Sequence, residues 1–510
     1  MKKSMLTIGA TVGAVIGALV LGPVPAQAFT SSQADDAYQS FVDTYWDASS
    51  NYFYTYSDHV AHPEHAHGPD GGVYTDYWWE AQLWEMVLDR YERTGDDAAR
   101  AMIDDVFDGF QSKYPDFRDN DWNDDIGWWA RGSIRAYELT GEARFLAAAE
   151  DMFAFIAPYE DTTYGGGIWW KNVDVGDGTK NEKNVATNAT AVYTAMRLYA
   201  ATGTQSYKDT ALRLFSWLDT NFNRDGHLLD HVSGTGQYAS WDWTYNEGNF
   251  AGAALELYLD SGQQSYLDKA TASVDWAVRN LTSSGTFLFE GRDDTAGFKS
   301  ILTRNIRALI DEGGQTQYEA VLTANASQAA AHVNSSGLGW YDWTAPAPEL
   351  AAEAIQSLAA GATVAVLQQA APDGSTSVVE GSGVYEAENA ARSGIDSEST
   401  NVGFTGRGYL AGWIADGSAV TFHTHVATAG SYDVTLRYAA GAGSATRQLT
   451  VNGAAIASPA FAGTSGWGAW TEVVVPMNLA AGHNTITLGF TAAAGSANYL
   501  NLDSLSIDLD

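Results

Sequence analysis

The 510-residue chain contains no cysteine. Disulfides, thiolate metal sites and cysteine nucleophiles are therefore excluded. A chain of this length can bury enough core without such staples. Basic residues are scarce: 27 Lys and Arg stand against 62 Asp and Glu, a formal net charge of −35. Such a polyanion repels nucleic acid and anionic membranes, and no nucleic-acid or membrane partner is expected. The surplus acid reads mainly as a solvating surface. It disfavours an acidic polysaccharide as ligand, so a neutral glycan fits better. After the first two dozen residues no long apolar run remains, and nothing later is expected to span a membrane.

The single apolar run, from Met5 to Leu21, follows Lys2-Lys3 and precedes Ala26-Gln27-Ala28. A basic start, an apolar middle and a small-x-small site read as a secretory signal peptide over residues 1–28. Export to the extracellular space is expected, with the mature chain starting near Phe29.

What the chain has in quantity is aromatic side chains: 18 Trp and 26 Tyr. Many sit in polar company, as in Asp76-Tyr77-Trp78-Trp79-Glu80, Gly167-Ile168-Trp169-Trp170-Lys171 and Trp241-Asp242-Trp243-Thr244-Tyr245-Asn246. Aromatics flanked by Asp, Asn and Lys fit the walls of a wet, sugar-binding cleft.

From about residue 34 to 362 the apolar periodicity is helical. Ile126, Ala130, Ile134 and Tyr137 mark one face, and Val185, Ala189, Val192, Met196 and Tyr199 another. Thr94-Gly95-Asp96, Thr140-Gly141-Glu142, Thr202-Gly203-Thr204 and Ser261-Gly262-Gln263 each offer a left-handed glycine that ends one helix before the next begins. About twelve helices in consecutive hairpins predict an all-α (α/α)6 barrel over residues 29–365, with an open solenoid as the alternative. Residues 366–383, centred on Ala371-Pro372-Asp373-Gly374-Ser375-Thr376, read as a linker. Beyond it the period changes to two, as in Ser431-Tyr432-Asp433-Val434-Thr435-Leu436-Arg437-Tyr438, with Asn452-Gly453 as a turn. Residues 384–510 therefore predict an all-β sandwich of the jelly-roll kind.

The most informative stretch is Asn123-Asp124-Asp125-Ile126-Gly127-Trp128-Trp129. Two adjacent carboxyls open a helix, and an aromatic pair follows. Glycosidic cleavage uses two carboxyl groups, and the retaining course wants them close together. The helix start favours an anion, while mutual repulsion raises one of the two pKa values. Aspartate pairs at helix starts are otherwise common caps, and Asp104-Asp105 and Asp293-Asp294 are read that way.

The stretch Asp121-Trp122-Asn123-Asp124-Asp125-Ile126-Gly127-Trp128-Trp129-Ala130 resembles the signature of glycoside hydrolase family 76, the endo-α-1,6-mannanases. Tyr164-Gly165-Gly166-Gly167-Ile168-Trp169-Trp170, Lys183-Asn184, Asn188, Tyr245-Asn246-Glu247-Gly248 and Phe298-Lys299-Ser300-Ile301-Leu302-Thr303-Arg304-Asn305 extend the likeness. Glu247 stands where the family usually has Gln, and is expected to add negative charge near the site. The resemblance implies a retaining hydrolase of α-1,6-linked mannan with no catalytic cofactor. Asp124 would be the nucleophile and Asp125 the general acid/base. Lys183, Asn184, Asp230, Tyr245 and Asn246 are candidates for sugar hydroxyls, and Trp122, Trp128 and Trp170 for stacking. Three other activities compete: a mannan transglycosylase, an unsaturated-uronide hydrolase on a similar barrel, and a non-catalytic glycan-binding protein. A monomer is expected.

Val384-Tyr385-Glu386-Ala387-Glu388, Gly406-Arg407-Gly408-Tyr409-Leu410 and Asn501-Leu502-Asp503 resemble carbohydrate-binding modules of families 6 and 35. That likeness implies a structural Ca2+ held by Glu386, Glu388 and Asp503. It also implies a ligand cleft with Tyr409, Trp467 and Asn501, with Trp470 as rival to Trp467. Finally, His59, His62, His65 and His67 crowd one loop. They are either metal ligands or a solvated loop at the barrel mouth.

Overall fold

A computed structural model describes residues 30–176, 180–370, 378–380, 384–405, 408–426, 429–480 and 482–509. The expected signal peptide at 1–28 lies outside the described residues, as does most of the expected linker. No helix among the described residues is long and apolar enough to cross a membrane.

Twelve long helices build the N-terminal domain: α1 Ser31–Tyr45, α2 Tyr77–Thr94, α3 Asp97–Lys113, α4 Asn123–Thr140, α5 Ala143–Ile156, α6 Val185–Thr202, α7 Gln205–Asn221, α8 Thr244–Ser261, α9 Gln264–Asn280, α10 Phe298–Asp311, α11 Glu319–Ala331 and α12 Ser357–Ala370. The even-numbered helices pack each on the next, and α12 returns to α2, so the ring is closed. This excludes the open solenoid. The odd-numbered helices bury one face each against that ring, as an amphipathic stripe requires. The even-numbered helices are buried almost all round over most of their length.

The four glycine stops predicted from sequence all take the left-handed conformation, with φ of 64° at Gly95, 70° at Gly141, 67° at Gly203 and 65° at Gly262. Each closes an inner helix by donating its N–H to the carbonyl of Tyr91, Tyr137, Tyr199 or Tyr258. The preceding Thr or Ser hydroxyl accepts from the second residue onward, which starts the outward helix. Each outer helix returns antiparallel. The inner helices therefore run the same way, and their N-termini share one end of the barrel.

The barrel axis is charged. Glu85 on α2 lies 3.2 Å from Arg131 on α4, and Asp89 lies 2.9 Å from Arg135 and 2.8 Å from Arg304 on α10. Burial works against the Glu85 anion, but Arg135, Arg304 and Arg131 hold its carboxyl down at about 2. Deeper along the ring Arg197 on α6 meets Glu256 on α8 at 2.7 Å. Removing one member of such a buried set strands its partners, at a cost of about 3–5 kcal/mol.

Helix α12 runs to Ala370 with Leu367 buried, so the helical domain continues past the expected boundary at 365. Val378–Glu380, inside the expected linker, pairs in parallel with the strand Ala419–Val426. The C-terminal domain stacks two sheets, as the alternating pattern predicts. One runs Asp396–Glu398, Tyr409–Ala411, Asn501–Leu509, Gly430–Ala439, Thr471–Leu479, with Val384–Glu386 also against Asn501–Leu509. The other centres on Ala419–Val426, Gly482–Gly489 and Gln448–Val451. Between them lie Trp413, Phe422, Leu436, Leu449, Leu488 and Leu505. At Asn452-Gly453 both φ values are positive, 48° and 76°, which matches the twist of a two-residue hairpin.

Candidate active site

Helix α4 begins without a side-chain cap of its own. Its start is clamped from outside. The Asn123 backbone N–H donates to the Trp170 carbonyl at 2.7 Å, and the Asn123 side chain donates to the Trp169 carbonyl at 2.8 Å. Asn172 reaches back to Asn120 and Asp121. The first turn of α4 and the 168–172 segment thus form one unit, and it sets Asp124 and Asp125 at the open end of the barrel.

Both carboxyls are enclosed on most sides yet partly accessible through the cleft. Burial pushes Asp124 up to about 7, against the Trp170 indole N–H and the helix-start amides, which favour its anion. Burial also pushes Asp125 well above the usual carboxylate range, and the charges of Asp124, Asp76 and Asp294 add to that rise. The Asn120 amide, donating at 3.0 Å, favours the Asp125 anion but does not prevail. The pair therefore shares a proton near neutrality, and the heavier electrostatic load puts it on Asp125. Asp124 Oδ1 is buried without a protein donor. One ionised and one protonated carboxyl side by side can attack a carbon centre and protonate its leaving oxygen.

Beside Asp124 stands a polar cluster drawn from distant segments. Asp230 accepts from His231 Nδ1 at 2.7 Å, from the Tyr245 hydroxyl, and from Asn246 Nδ2 at 3.1 Å. His231 Nε2 lies 3.6 Å from Glu182. Three of these, Asp230, Tyr245 and Asn246, are sequence candidates. Glu182 and His231 are not, and only pairing of Glu182–Asn184 with His231–Ser233 brings them together. Asn246 Oδ1 is buried without a donor and faces the same region. The Trp241 ring, 56% exposed, stands edge-on to His231 at 4.9 Å and lines the mouth.

Other candidates have different positions. Trp122 and Trp170 are half-buried, 6.4 Å apart, with the Lys171 ammonium 4.3 Å above Trp122. Trp128 is only 4% exposed and belongs to the hydrophobic core, so it offers no stacking face. Lys183 is fully buried and donates to Asp161 Oδ1, Gly166 O, Thr163 O and Asp161 O at 2.6 to 3.1 Å. Its three N–H bonds are spent on that loop, and none is left for a sugar. Asn184 caps α6 by accepting from Thr187 N at 2.9 Å. Glu247 is buried, accepts from Leu228 N at 3.1 Å, and is raised well above the carboxylate range by burial. Burial thus favours its neutral form, in which it resembles a glutamine.

The four histidines do not converge on one point, although His67 stands edge-on to His65 at 5.1 Å. His59 stacks on Tyr54, and His62 pairs with Asp58. His65, 1% exposed, lies flat on Trp79 between Asp293 at 2.6 Å and Asp76 at 3.0 Å. Burial opposes its charge, but those two carboxylates raise it to about 9. Asp294 accepts from both Trp78 and Trp79. Asp293-Asp294, read from sequence as a cap, is part of this cluster instead. His65, Asp293 and Asp294, and likewise Glu182, Asp230 and His231, have ligand atoms within 4.8 Å of one another, close enough to hold a cation.

In the C-terminal domain Tyr409 is fully buried, and its hydroxyl bonds Thr400 and Asn401. It is core, not a ligand platform. Asn501 is 6% exposed on a central strand, and Trp467 is half-buried with its ring over Gly441. Trp470 donates to the Val402 carbonyl at 2.9 Å. Glu386 Oε2 and Asp503 Oδ2 both accept from Thr405 Oγ1, at 2.8 and 3.1 Å, and Glu388 accepts from Gly408 N at 3.1 Å. The three acids thus gather under one loop. The Arg437 guanidinium also pairs with Asp503.

Residues 383–510 match the model of carbohydrate binding module family 35. Among curated proteins, a mannan endo-1,6-alpha-mannosidase of Saccharomyces cerevisiae is 26% identical over 372 residues, which is 63% of this chain and 80% of that protein. A 1,6-alpha-glucosyltransferase of Sporosarcina globispora is 29% identical over 274 residues, 50% of this chain. The chain spans only 21% of that transferase's length, and 13% and 11% of two other transferases that it matches. Among solved structures, the alpha-1,6-mannanase of Salegentibacter sp. HEL1_6 superposes with a TM-score of 0.59 at 24% identity, covering 67% of this chain and 98% of that one. An inactive variant of that mannanase, with two consecutive aspartates changed to asparagine, is in complex with alpha-1,6-mannotriose. Residues 29–375 match the model of glycosyl hydrolase family 76, and this chain belongs to that family.

Proposed function

We propose that the chain is a secreted, monomeric endo-α-1,6-mannanase that works with retention of configuration. The observation that carries this reading is the carboxyl pair: Asp124 raised to about 7 and Asp125 raised well above its ordinary value, side by side at a helix start. Asp124 attacks the anomeric carbon while Asp125 gives its proton to the leaving oxygen. Asp125 then takes a proton from the water that hydrolyses the glycosyl-enzyme. Asp230 and Asn246 are buried and hold Tyr245 and His231 in place beside the pair rather than reaching a sugar, while Trp122, Trp170 and Trp241 offer ring faces. The replacement of two consecutive aspartates in the inactive, mannotriose-bound relative supports the same pair here.

The sandwich tethers the enzyme to glycan. Glu386, Glu388 and Asp503 would hold Ca2+ in a hard oxygen shell, and their gathering around Thr405 and Gly408 fits that donor set.

Incubation with linear α-1,6-mannan, followed by product separation, tests the reading. The parent yields short mannooligosaccharides, and Asp124→Asn and Asp125→Asn yield none. Longer products on addition of an acceptor sugar would favour transglycosylation. No turnover by the parent, with glycan binding retained, would favour a binding protein.

A further inference from the structure

A second pocket of about 340 Å³ opens on the catalytic side of the barrel. Ligand pockets commonly measure about 300–1,000 Å³, so this one suits a small unit rather than a long chain. Its wall combines Tyr56, Trp340 and Tyr341 with Arg292, Glu353 and Gln356. These come from the loop after α1, the loop before α10, and the loop joining α11 to α12. Two of those loops lead directly into N-termini of the inner ring, the end that holds Asp124 and Asp125.

We propose that this pocket is a distal subsite for a neutral hexose unit of the same glycan chain that the carboxyl pair cuts. The proposal rests on the mannanase reading. The chemistry of the wall points to a sugar. Trp340 and Tyr341 lie 4.3 Å apart and present a partly exposed aromatic floor. A pyranose ring has an apolar C–H face that rests on such a floor. Around the floor stand planar polar groups. The Arg292 guanidinium sits 4.8 Å over Tyr341 and 3.0 Å from Glu353, and both charged side chains remain open to solvent, 60% and 43% exposed. Gln356 donates to the Tyr56 hydroxyl at 3.1 Å and accepts from Asp293 N at 3.0 Å, which fixes the inner edge. Arg292 and Glu353 neutralise one another, and Glu64 and Asp293 add acid to the wall, which disfavours a uronate or phosphate and leaves hydroxyl acceptors for a neutral sugar.

Side-chain contacts also link the pocket wall to the carboxyl pair's end of the barrel. Asp293 forms part of its wall and binds His65, and His65 binds Asp76 at the start of α2. The next residue, Asp294, holds the indoles of Trp78 and Trp79. A chain laid over Asp124 and Asp125 that runs toward α2 and α12 therefore meets this aromatic floor. Binding energy gained away from the reacting bond lowers KM for long chains and leaves short ones unaffected.

The test compares linear α-1,6-mannotetraose with long linear α-1,6-mannan, using the full chain and the variants Tyr341→Ala, Tyr341→Phe and Arg292→Ala. Parent turnover is read first. For Tyr341→Ala the expected result is an unchanged rate on mannotetraose and a KM for long mannan raised on the order of tenfold, with kcat kept. Tyr341→Phe keeps the ring and behaves as the parent. Arg292→Ala, at an exposed side chain, shows the same split between substrates. Equal losses on short and long substrates, or no change on either, would overturn the subsite while leaving the mannanase reading intact. A parent inert on both substrates would overturn the mannanase reading and the subsite with it.

Discussion

Enclosing two carboxyl groups side by side costs folding free energy whenever either is ionised. At Asp124 the folded pKa is about 7, far above the ordinary value of 3.8. The folded protein then holds more protons than the unfolded chain between those two values, so stability falls as pH rises through that window. Asp124→Asn removes the cost. The variant is expected to be inactive yet more heat-stable than the parent at pH 7 to 8, with the gain vanishing at about pH 4 and below. Thermal unfolding across pH checks this. A gain that is constant with pH would mean that Asp124 is not the group that titrates. Glu247 gives the complementary case. Burial favours its neutral carboxyl, so Glu247→Gln is expected to keep full activity and to stabilise the protein slightly as pH rises above the ordinary carboxylate range, by the same assays. These environments are only partly legible in sequence. The Asp124-Asp125 pair stands out because its neighbours are aromatic. Trp128 follows the pair by less than one turn, but its place on α4 turns it into the core. Tyr409 fails for a related reason: alternation along a strand marks two faces but does not say which is inward. Lys183 looks like a sugar-binding cation until the 161–166 loop is seen to enclose it.

At the scale of elements, turn chemistry reads most directly. Thr-Gly and Ser-Gly stops need a left-handed residue, and each takes that conformation in the fold. An alanine at such a position adopts positive φ at a cost of about 1–2 kcal/mol. Gly141→Ala is therefore expected to lower stability by about that amount without altering turnover, because it lies at the opposite end of α4 from Asp125. Denaturant unfolding and a rate assay together check both halves of that expectation. The start of α4 could not be read the same way. Its clamp comes from Trp169 and Trp170, on a segment that no local pattern links to it. The same holds for Glu182 and His231, which meet only through strand pairing, and for His65 and Asp293, which meet across the closed ring. Helix number survives such long-range effects because it rests on periodicity. Element ends do not: α12 runs to Ala370, beyond the 362 at which the helical periodicity stops, because packing against α2 and α10 continues its burial.

The whole molecule separates its charges by depth. The surplus acid keeps the surface solvated, while along the barrel axis Arg131, Arg135, Arg197 and Arg304, four of the 18 arginines, each face buried carboxylates. Among the described residues no arginine pairs with Asp124 or Asp125, and burial raises both carboxyls. The sandwich poses a third electrostatic arrangement: three acids under one loop, with Arg437 against one of them. Adding Ca2+ is expected to raise the melting temperature of the full chain, and a chelator to lower it, while mannan turnover below that temperature stays unchanged. A melting curve indifferent to both would assign the neutralising role to Arg437 alone. We would follow cleavage of an α-1,6-mannooligosaccharide by proton NMR and record the configuration of the first product formed. Retention through Asp124 and Asp125 predicts that the α-anomer forms first and mutarotates later; a β-anomer formed first would contradict it.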